Sequence, residues 1–232
     1  ELMPQINDGS IDLILADLPY QVTARNKWDI IIPFDKLWES YERIIKDNGA
    51  IVLTATQPFA SQLVMSNIKL FKYEWIWQKC TGTGFLNAKK QPLRNHEQIL
   101  VFYKSQSTYN PQFTEGKPYK CKQGGHGTNY NDRGLETKEV ITINDGKRYP
   151  LTVQKFNKDK EQTHPTQNPL ELMKYLIKTY TNENDLVLDN TMGVGTTCLA
   201  ALQSNRNFIG MEKEYQYYDI ASKRIEHYKI NG

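Results

Sequence analysis

Asp17-Leu18-Pro19-Tyr20 places an acid, a rigid turn and an aromatic ring directly after the apolar run of residues 11–16. At the end of a strand, these groups can face one small planar ligand together. The chemistry they suit is activation of an exocyclic amine on a nucleobase. Such an amine is a poor nucleophile, because its lone pair is delocalised into the ring. Asp17 can accept one amine hydrogen and the Leu18 carbonyl the other, which favours a pyramidal, more nucleophilic nitrogen as charge develops. Pro19 sets the direction of the turn, and Tyr20 can stack on the base. The bland alternative is that Asp17 caps a turn and Tyr20 is core. The tetrapeptide alone does not separate the two.

A second constellation lies about 170 residues later. Asp185–Asp189 reads as a strand running into Gly193-Val194-Gly195-Thr196-Thr197. Glycines between a strand and a helix let backbone approach a ligand, and the helix start offers free N–H groups. Glu212 ends the next strand, where an acid can accept hydrogen bonds from both ribose hydroxyls. The third glycine of the dinucleotide fingerprint is missing, since Thr197 and Cys198 stand where it would fall. A nucleoside ligand such as S-adenosyl-L-methionine therefore suits this turn better than a dinucleotide. A plain tight turn beside a solvated acid is the alternative.

The elements that must position these groups follow from periodicity. Strands are expected at 11–16, 50–54, 73–77, 98–102, 185–190 and 207–211. Helices are expected at 35–47, closed by Asn48-Gly49 as a C-cap, and from Pro58 to about Asn67. A third should run from a cap at Asn168, with Pro169 and Glu171 in its first turn, to about Tyr180. Two more are expected at 196–204 and 215–228. Strands alternating with helices predict a mainly parallel sheet covered on both faces.

The 232 residues suffice for one sizeable core with an inserted lobe. No run is long and apolar enough to span a bilayer. Cys80, Cys121 and Cys198 lie far apart, which argues against a zinc site or a disulfide framework and fits a reducing cytosol. The chain opens Glu1-Leu2-Met3-Pro4, like the tail of a helix entering the Asn7-Asp8-Gly9 turn, so further chain is expected upstream.

Residues 104–160 differ in texture. Gly, Asn, Tyr and Lys dominate, and 11 Lys/Arg face 6 Asp/Glu, so this segment is more basic than the whole chain at +3. Short strands are expected at 139–143 and 149–154. Three spans result: 1–104 with the acid–proline–aromatic turn, 105–160 as an insert, and 161–232 with the glycine turn. Lys117, Lys120, Lys122, Arg133, Lys147 and Arg148 could meet phosphates, while Asn129, Tyr130 and Asn131 could reach base edges. Lys89, Lys90 and Arg94 form a second candidate phosphate patch. A solvated face without a partner is the alternative for both.

Together these motifs carry a resemblance. Asp17-Leu18-Pro19-Tyr20 resembles the catalytic Asp-Pro-Pro-Tyr of DNA amino-methyltransferases. Asp189 to Thr197 is similar to their cofactor motif, and His164-Pro165-Thr166-Gln167-Asn168-Pro169 to the His-Pro-Thr-Gln-Lys-Pro element at the methionine end of the cofactor. Arg94–Phe102 is also family-like. The order, catalytic motif first, matches the circularly permuted β group, which includes prophage adenine methyltransferases. Leu18 replaces a Pro, Asn190 and Thr191 replace Pro-Phe, and Asn168 replaces Lys. One strand that family members carry would fall before residue 1.

The resemblance implies a three-layer Rossmann-like α/β methyltransferase fold, circularly permuted, mainly parallel with a reversed strand, and an inserted DNA-recognition segment. It implies S-adenosyl-L-methionine held by Asp17, Thr166, Gln167, Asp189, Thr191, Gly193, Gly195, Thr196, Thr197 and Glu212, with no metal. The implied substrate is a flipped-out adenine in sequence-specific duplex DNA, methylated at N6, in the cytoplasm of a bacterium. A homodimer and a cognate restriction enzyme are the further partners it allows, and no membrane. N4-cytosine methylation is the alternative by the same chemistry, although cytosine enzymes tend to carry Ser at the Asp17 position. A non-catalytic DNA-binding subunit and a protein or small-molecule methyltransferase are more distant alternatives.

Overall fold

A computed structural model describes residues 2–20, 30–123, 140–159 and 167–231. Strand β1 (Ile11–Asp17) is apolar on both faces, and Ile11, Leu13, Ile14 and Leu15 are all buried. A strand buried on both faces must lie in the middle of a sheet with helices on either side. One layer is built by α1 (Phe34–Ile44) and α2 (Phe59–Ser66), whose Leu37, Trp38, Tyr41, Phe59 and Leu63 pack on Ile14 and Ala16. The opposite face of β1, Leu13 and Leu15, meets Leu172, Leu176 and Ile177 of α3 (Leu170–Tyr180) and Ala200 and Ala201 of α4 (Thr196–Gln203).

The remaining strands of the main sheet are β2 (Ile45–Ala55), β3 (Phe71–Thr83), β4 (Arg94–Phe102), β9 (Val153–Lys155), β10 (Leu186–Asp189) and β11 (Asn207–Gly210). Their order is β11-β10-β1-β2-β4-β3-β9. Strands β11, β10, β1 and β2 pair in parallel, β4 runs against both β2 and β3, and β9 is parallel to β3. Six strands thus share one direction and β4 is reversed. From β1 the chain crosses to β2 on one side, and from β10 to β11 on the other. The order switches between β1 and β10, where the carboxyl ends of an open α/β sheet leave a crevice for ligands. No helix among the described residues is long and apolar enough to cross a membrane.

Two expected helix ends are corrected. The helix expected at 35–47 stops at Ile44, and Asn48-Gly49 is not its cap. Ile45 is the first strand residue and pairs with Ile11, whereas the next pair is Leu13 with Ala50. Lys46–Gly49 is therefore an excursion within β2, tied down by Lys46 Nζ on Asp12 Oδ1 at 2.7 Å. Gly49 is required for closeness: a Cβ there would lie 2.8 Å from Ile45 Cδ1 and 2.9 Å from the Asp12 carbonyl. In α3, Asn168 makes no cap. Pro169 holds the cap position with extended backbone, and Asp159 receives the Leu170 N–H at 3.2 Å. The sequence pattern read the nearest polar residue as the cap, but the acceptor arrives from a separate strand connection.

Pro111–Leu151 forms a second compact unit. Within it, β5 (Thr114–Glu115) pairs with β8 (Lys147–Arg148), and β6 (Tyr119–Gln123) with β7 (Val140–Asn144), both antiparallel. The Arg148 guanidinium lies 4.8 Å over the Tyr119 ring, and Phe113 packs on Tyr149 at 4.9 Å. The strand expected at 149–154 is not continuous. Lys147–Arg148 belongs to this unit, whereas Val153–Lys155 joins the main sheet beside β3. Helix α5 (Tyr215–Asn231) closes the chain, burying Ala221 against Met192 and Cys198.

Candidate active site

Register places the site. Asp17 is the last residue of β1 and pairs with Thr54 on β2, so a hydroxyl stands beside the carboxylate. Thr54 is buried, and its Oγ1 donates to Asp17 Oδ1. Tyr20 Oη donates to the same oxygen and lies 3.0 Å from Thr54 Oγ1. Asn168 Nδ2 donates to Asp17 Oδ2 at 3.1 Å. Burial pushes the Asp17 pKa up; the Thr54, Tyr20 and Asn168 hydrogen bonds oppose that, and Glu97 adds to it. Glu97 lies two residues beyond the Thr54–Ile99 pair and is itself ion-paired with Lys79.

The rest of the tetrapeptide has structural partners as well. The Leu18 side chain is buried in the core, so only its backbone can serve a ligand. The Tyr20 ring is stacked on Phe59 at 5.0 Å and 28°. One face of the ring expected to stack on a base is thus already covered by protein.

The carboxyl end of β10 brings up the second group. Asp189 is 4% exposed, and its Oδ1 accepts the Thr191 N–H at 3.1 Å. Thr191 Oγ1 in turn donates to the Asp17 carbonyl at 3.1 Å, linking the ends of β10 and β1. Asn190 Oδ1 accepts from Tyr41 Oη at 2.7 Å. The two residues that depart from the resembled cofactor motif therefore both have work in the fold. Burial lifts the Asp189 pKa to about 7; the Thr197 hydroxyl and Thr191 N–H oppose this, while the Asp17 and Glu212 carboxylates reinforce it.

The glycine turn follows. Gly193 and Gly195 both have positive φ, +51° and +76°. Gly195 also meets α5, where an added Cβ would lie 2.8 Å from Ala221 Cβ, so no other residue fits. Glu212 accepts the Gly193 N–H at 2.9 Å on one oxygen and the Glu214 N–H at 2.8 Å on the other. Thr196 and Thr197 are buried at the start of α4, and Arg224 Nη1 reaches the Val194 carbonyl and Thr196 Oγ1. Gln167 is buried with its Nε2 on Asp159 Oδ2 at 3.1 Å. Thr166, Asn129, Tyr130, Asn131 and Arg133 lie outside the described residues.

Asp17, Asp189 and Glu212 thus converge at the switch point. Their hydrogen-bond partners Thr54, Tyr20, Asn168, Thr191, Gly193 and Glu214 offer only neutral hydroxyl, amide or backbone N–H groups. No Lys or Arg among the described residues forms an ion pair with any of the three. Buried Asp189 with two further carboxylates beside it, and no Lys or Arg among the described residues ion-paired to them, suits a cationic ligand. A sulfonium or an ammonium group fits that description, together with a glycine turn able to approach a nucleoside.

Of the candidate phosphate contacts, Lys89, Lys90 and Arg94 are exposed on the β3–β4 hairpin, at the same end of the sheet as Asp17. Lys120 and Lys122 lie on β6 of the second unit. Thr54, Asp159 and Arg224 carried no motif signal, whereas Glu97 lies within the family-like run Arg94–Phe102. Only strand register could have pointed to Thr54, as the residue opposite the terminal acid of β1.

Known proteins resemble this chain in sequence and fold. A profile of the DNA methylase family of N6/N4 methyltransferases matches residues 11–223. The chain is 28% identical to the Type II methyltransferase M1.MboII of Moraxella bovis, covering all of this chain and 95% of that protein. It is 27% identical to the DNA adenine methyltransferase YhdJ of Escherichia coli K12, over 97% of this chain and 79% of that one. The crystal structure of an M1.HpyAVI–SAM complex superposes with a TM-score of 0.62 at 25% identity, covering 93% and 89% of the two chains.

Proposed function

Because this chain belongs to the N6/N4 DNA methylase family, we propose that it methylates the N6 amino group of a flipped-out adenine in a specific duplex DNA sequence, with S-adenosyl-L-methionine as donor. The observation that carries this reading is the convergence of Asp17, Asp189 and Glu212, with no Lys or Arg among the described residues ion-paired to them, at the switch point beside a glycine turn. S-adenosyl-L-methionine supplies a methyl group on a sulfonium, the cationic chemistry that three carboxylates favour. Glu212 would hold the ribose hydroxyls, the Gly193–Thr197 turn and Asp189 the nucleoside end, and Gln167 and Thr166 the methionine end.

Lone pairs decide how Asp17 can take an amine. A carboxylate offers about four acceptor sites. Thr54 and Tyr20 use Oδ1, and Asn168 uses part of Oδ2. One site on Oδ2 is left for an amine hydrogen, without dismantling the network. Asp17 accepts that hydrogen and the Leu18 carbonyl the other, which leaves the nitrogen lone pair free to attack. As the nitrogen gains its methyl, it becomes cationic and sheds a proton toward Asp17, whose raised pKa suits it to receive one. Tyr20, backed by Phe59, supplies a rigid ring for the base.

The test is transfer of labelled methyl from S-adenosyl-L-methionine to unmethylated DNA, followed by digestion to nucleosides and mass analysis. N6-methyladenine supports the proposal. N4-methylcytosine would move the specificity to cytosine and leave the mechanism intact. DNA binding without transfer would reduce the chain to a binding subunit.

A further inference from the structure

The β3–β4 hairpin outruns the sheet. The last residue of β2, Ala55, pairs with Gln98, yet β4 begins four residues earlier at Arg94. At ~3.3 Å per residue the arm reaches roughly 13 Å past the end of β2, on the side where Asp17 stands. Its tip is a closed unit. Asn87 N–H bonds to the Gly84 carbonyl at 2.9 Å, Ala88 N–H to Phe85 at 3.1 Å and Lys90 N–H to Asn87 at 2.8 Å. Leu93 folds over Gly82, so close that a Cβ on Gly82 would lie 2.8 Å from Leu93 Cβ. This backbone presents two large apolar side chains outward: Phe85 is 70% exposed and Leu86 fully exposed. Neither joins a core cluster.

A rigid turn gains nothing in folding from holding Phe and Leu in water. From Cys80 to His96 the arm carries Lys89, Lys90 and Arg94 and no acid. An apolar tip flanked by unopposed cations, at the catalytic end of the sheet, complements a polyanion with a stacked apolar interior. Duplex DNA is that partner. Inserted Phe and Leu side chains unstack base steps at a cost repaid by added contacts.

We propose that the β3–β4 arm is a wedge, with Phe85 and Leu86 entering the base stack next to the target base while Lys89, Lys90 and Arg94 hold the flanking phosphates. The inference rests on the reading of this chain as a DNA methyltransferase. The wedge keeps the space left by the extruded base from closing.

Permanganate, which oxidises unstacked thymines, reads the opening independently of methyl transfer. Plasmid-derived duplex DNA is treated in the presence of the wild-type chain, a Phe85→Ser/Leu86→Ser variant and a Lys89→Ala/Lys90→Ala variant, with S-adenosylhomocysteine present. The wild type should expose thymines. The serine variant should bind within about threefold of wild type, because phosphate contacts dominate affinity, yet lose most of the oxidation. The lysine variant should bind more weakly, with a salt slope smaller by about two. Thymines opened equally by the serine variant, or not opened by the wild type, would overturn the wedge. So would a serine variant whose only change is a smaller mass in solution, which would make the tip a contact between two copies. Thymine opening that depends on Phe85 and Leu86, with no methyl transferred by the wild type, would instead sink the methyltransferase reading and leave the wedge standing.

Discussion

Asn168 Nδ2 donates to Asp17 Oδ2 at 3.1 Å across 151 residues of chain, joining the start of α3 to the end of β1. The contact favours the ionised form of a carboxylate that burial drives toward protonation. Asn168→Ala removes one lowering influence, so the Asp17 pKa should rise further. The acid limb of the pH–turnover profile should then move to higher pH, with activity partly recovered above it. A uniform fall at every pH, with the limb unmoved, would show that Asn168 matters only for folding.

Asp17→Ala should separate binding from chemistry. Single-turnover methyl transfer should drop by about 100-fold or more, as for loss of other groups aimed at developing charge. Cofactor binding measured by calorimetry should largely persist. Equal loss of both would remove the role assigned to Asp17.

Asp189 makes the free protein pH-sensitive. Its pKa is about 7 in the fold against 3.8 for an unperturbed aspartate, so the folded state retains a proton that the unfolded chain releases. Stability is therefore unaffected below about pH 4, falls as pH rises toward 7, and levels off above that. Asp189→Asn should be more stable than wild type at pH 8, by at most about 4 kcal/mol, with the gap closing toward pH 4. Cofactor affinity should show the complementary trend in the wild type. A cation favours ionised Asp189, so binding should tighten up to about pH 7 and then plateau. Urea unfolding and calorimetry across this range check both. A pH-independent gap would mean that Asp189 does not titrate there.

The two glycines of the turn should differ. Gly195→Ala combines positive φ with a Cβ placed against Ala221, and should destabilise by roughly 2 kcal/mol or more. At Gly193 φ is also positive, but nothing lies within 4 Å of an added Cβ. Gly193→Ala should cost about 1 kcal/mol in stability, while weakening cofactor binding through the face it adds to the turn. Comparable unfolding midpoints for the two variants would contradict the packing of α5 on Gly195.

Much of the architecture was legible because the signals are local. The apolar run Leu13–Ala16 of β1 marks a strand buried on both faces, and the 3.6 period marks α1 and α3. The acid at the end of β1 and the glycines after β10 stood out because strand ends and positive-φ turns restrict residue type. Boundaries failed where a distant residue supplied the partner. Ile45 continues the apolar stripe of α1, yet its place opposite Ile11 makes it strand. Asn168 has the chemistry of a cap, but Asp159 reached the Leu170 N–H and left the amide for Asp17.

By itself, the amino-acid sequence determined which groups could do chemistry: Asp17, the Leu18 carbonyl, Tyr20, Asp189, the glycine turn and Glu212. Only the tertiary structure decided what surrounds them. Thr54 and Asn168 hold the Asp17 carboxylate, Phe59 backs Tyr20, and Thr191 ties the ends of two strands together. The physical reason is that residue type and short spacing encode dihedral preference and periodic burial. Which donor reaches a given oxygen depends instead on strand order and register, set by packing across the whole sheet.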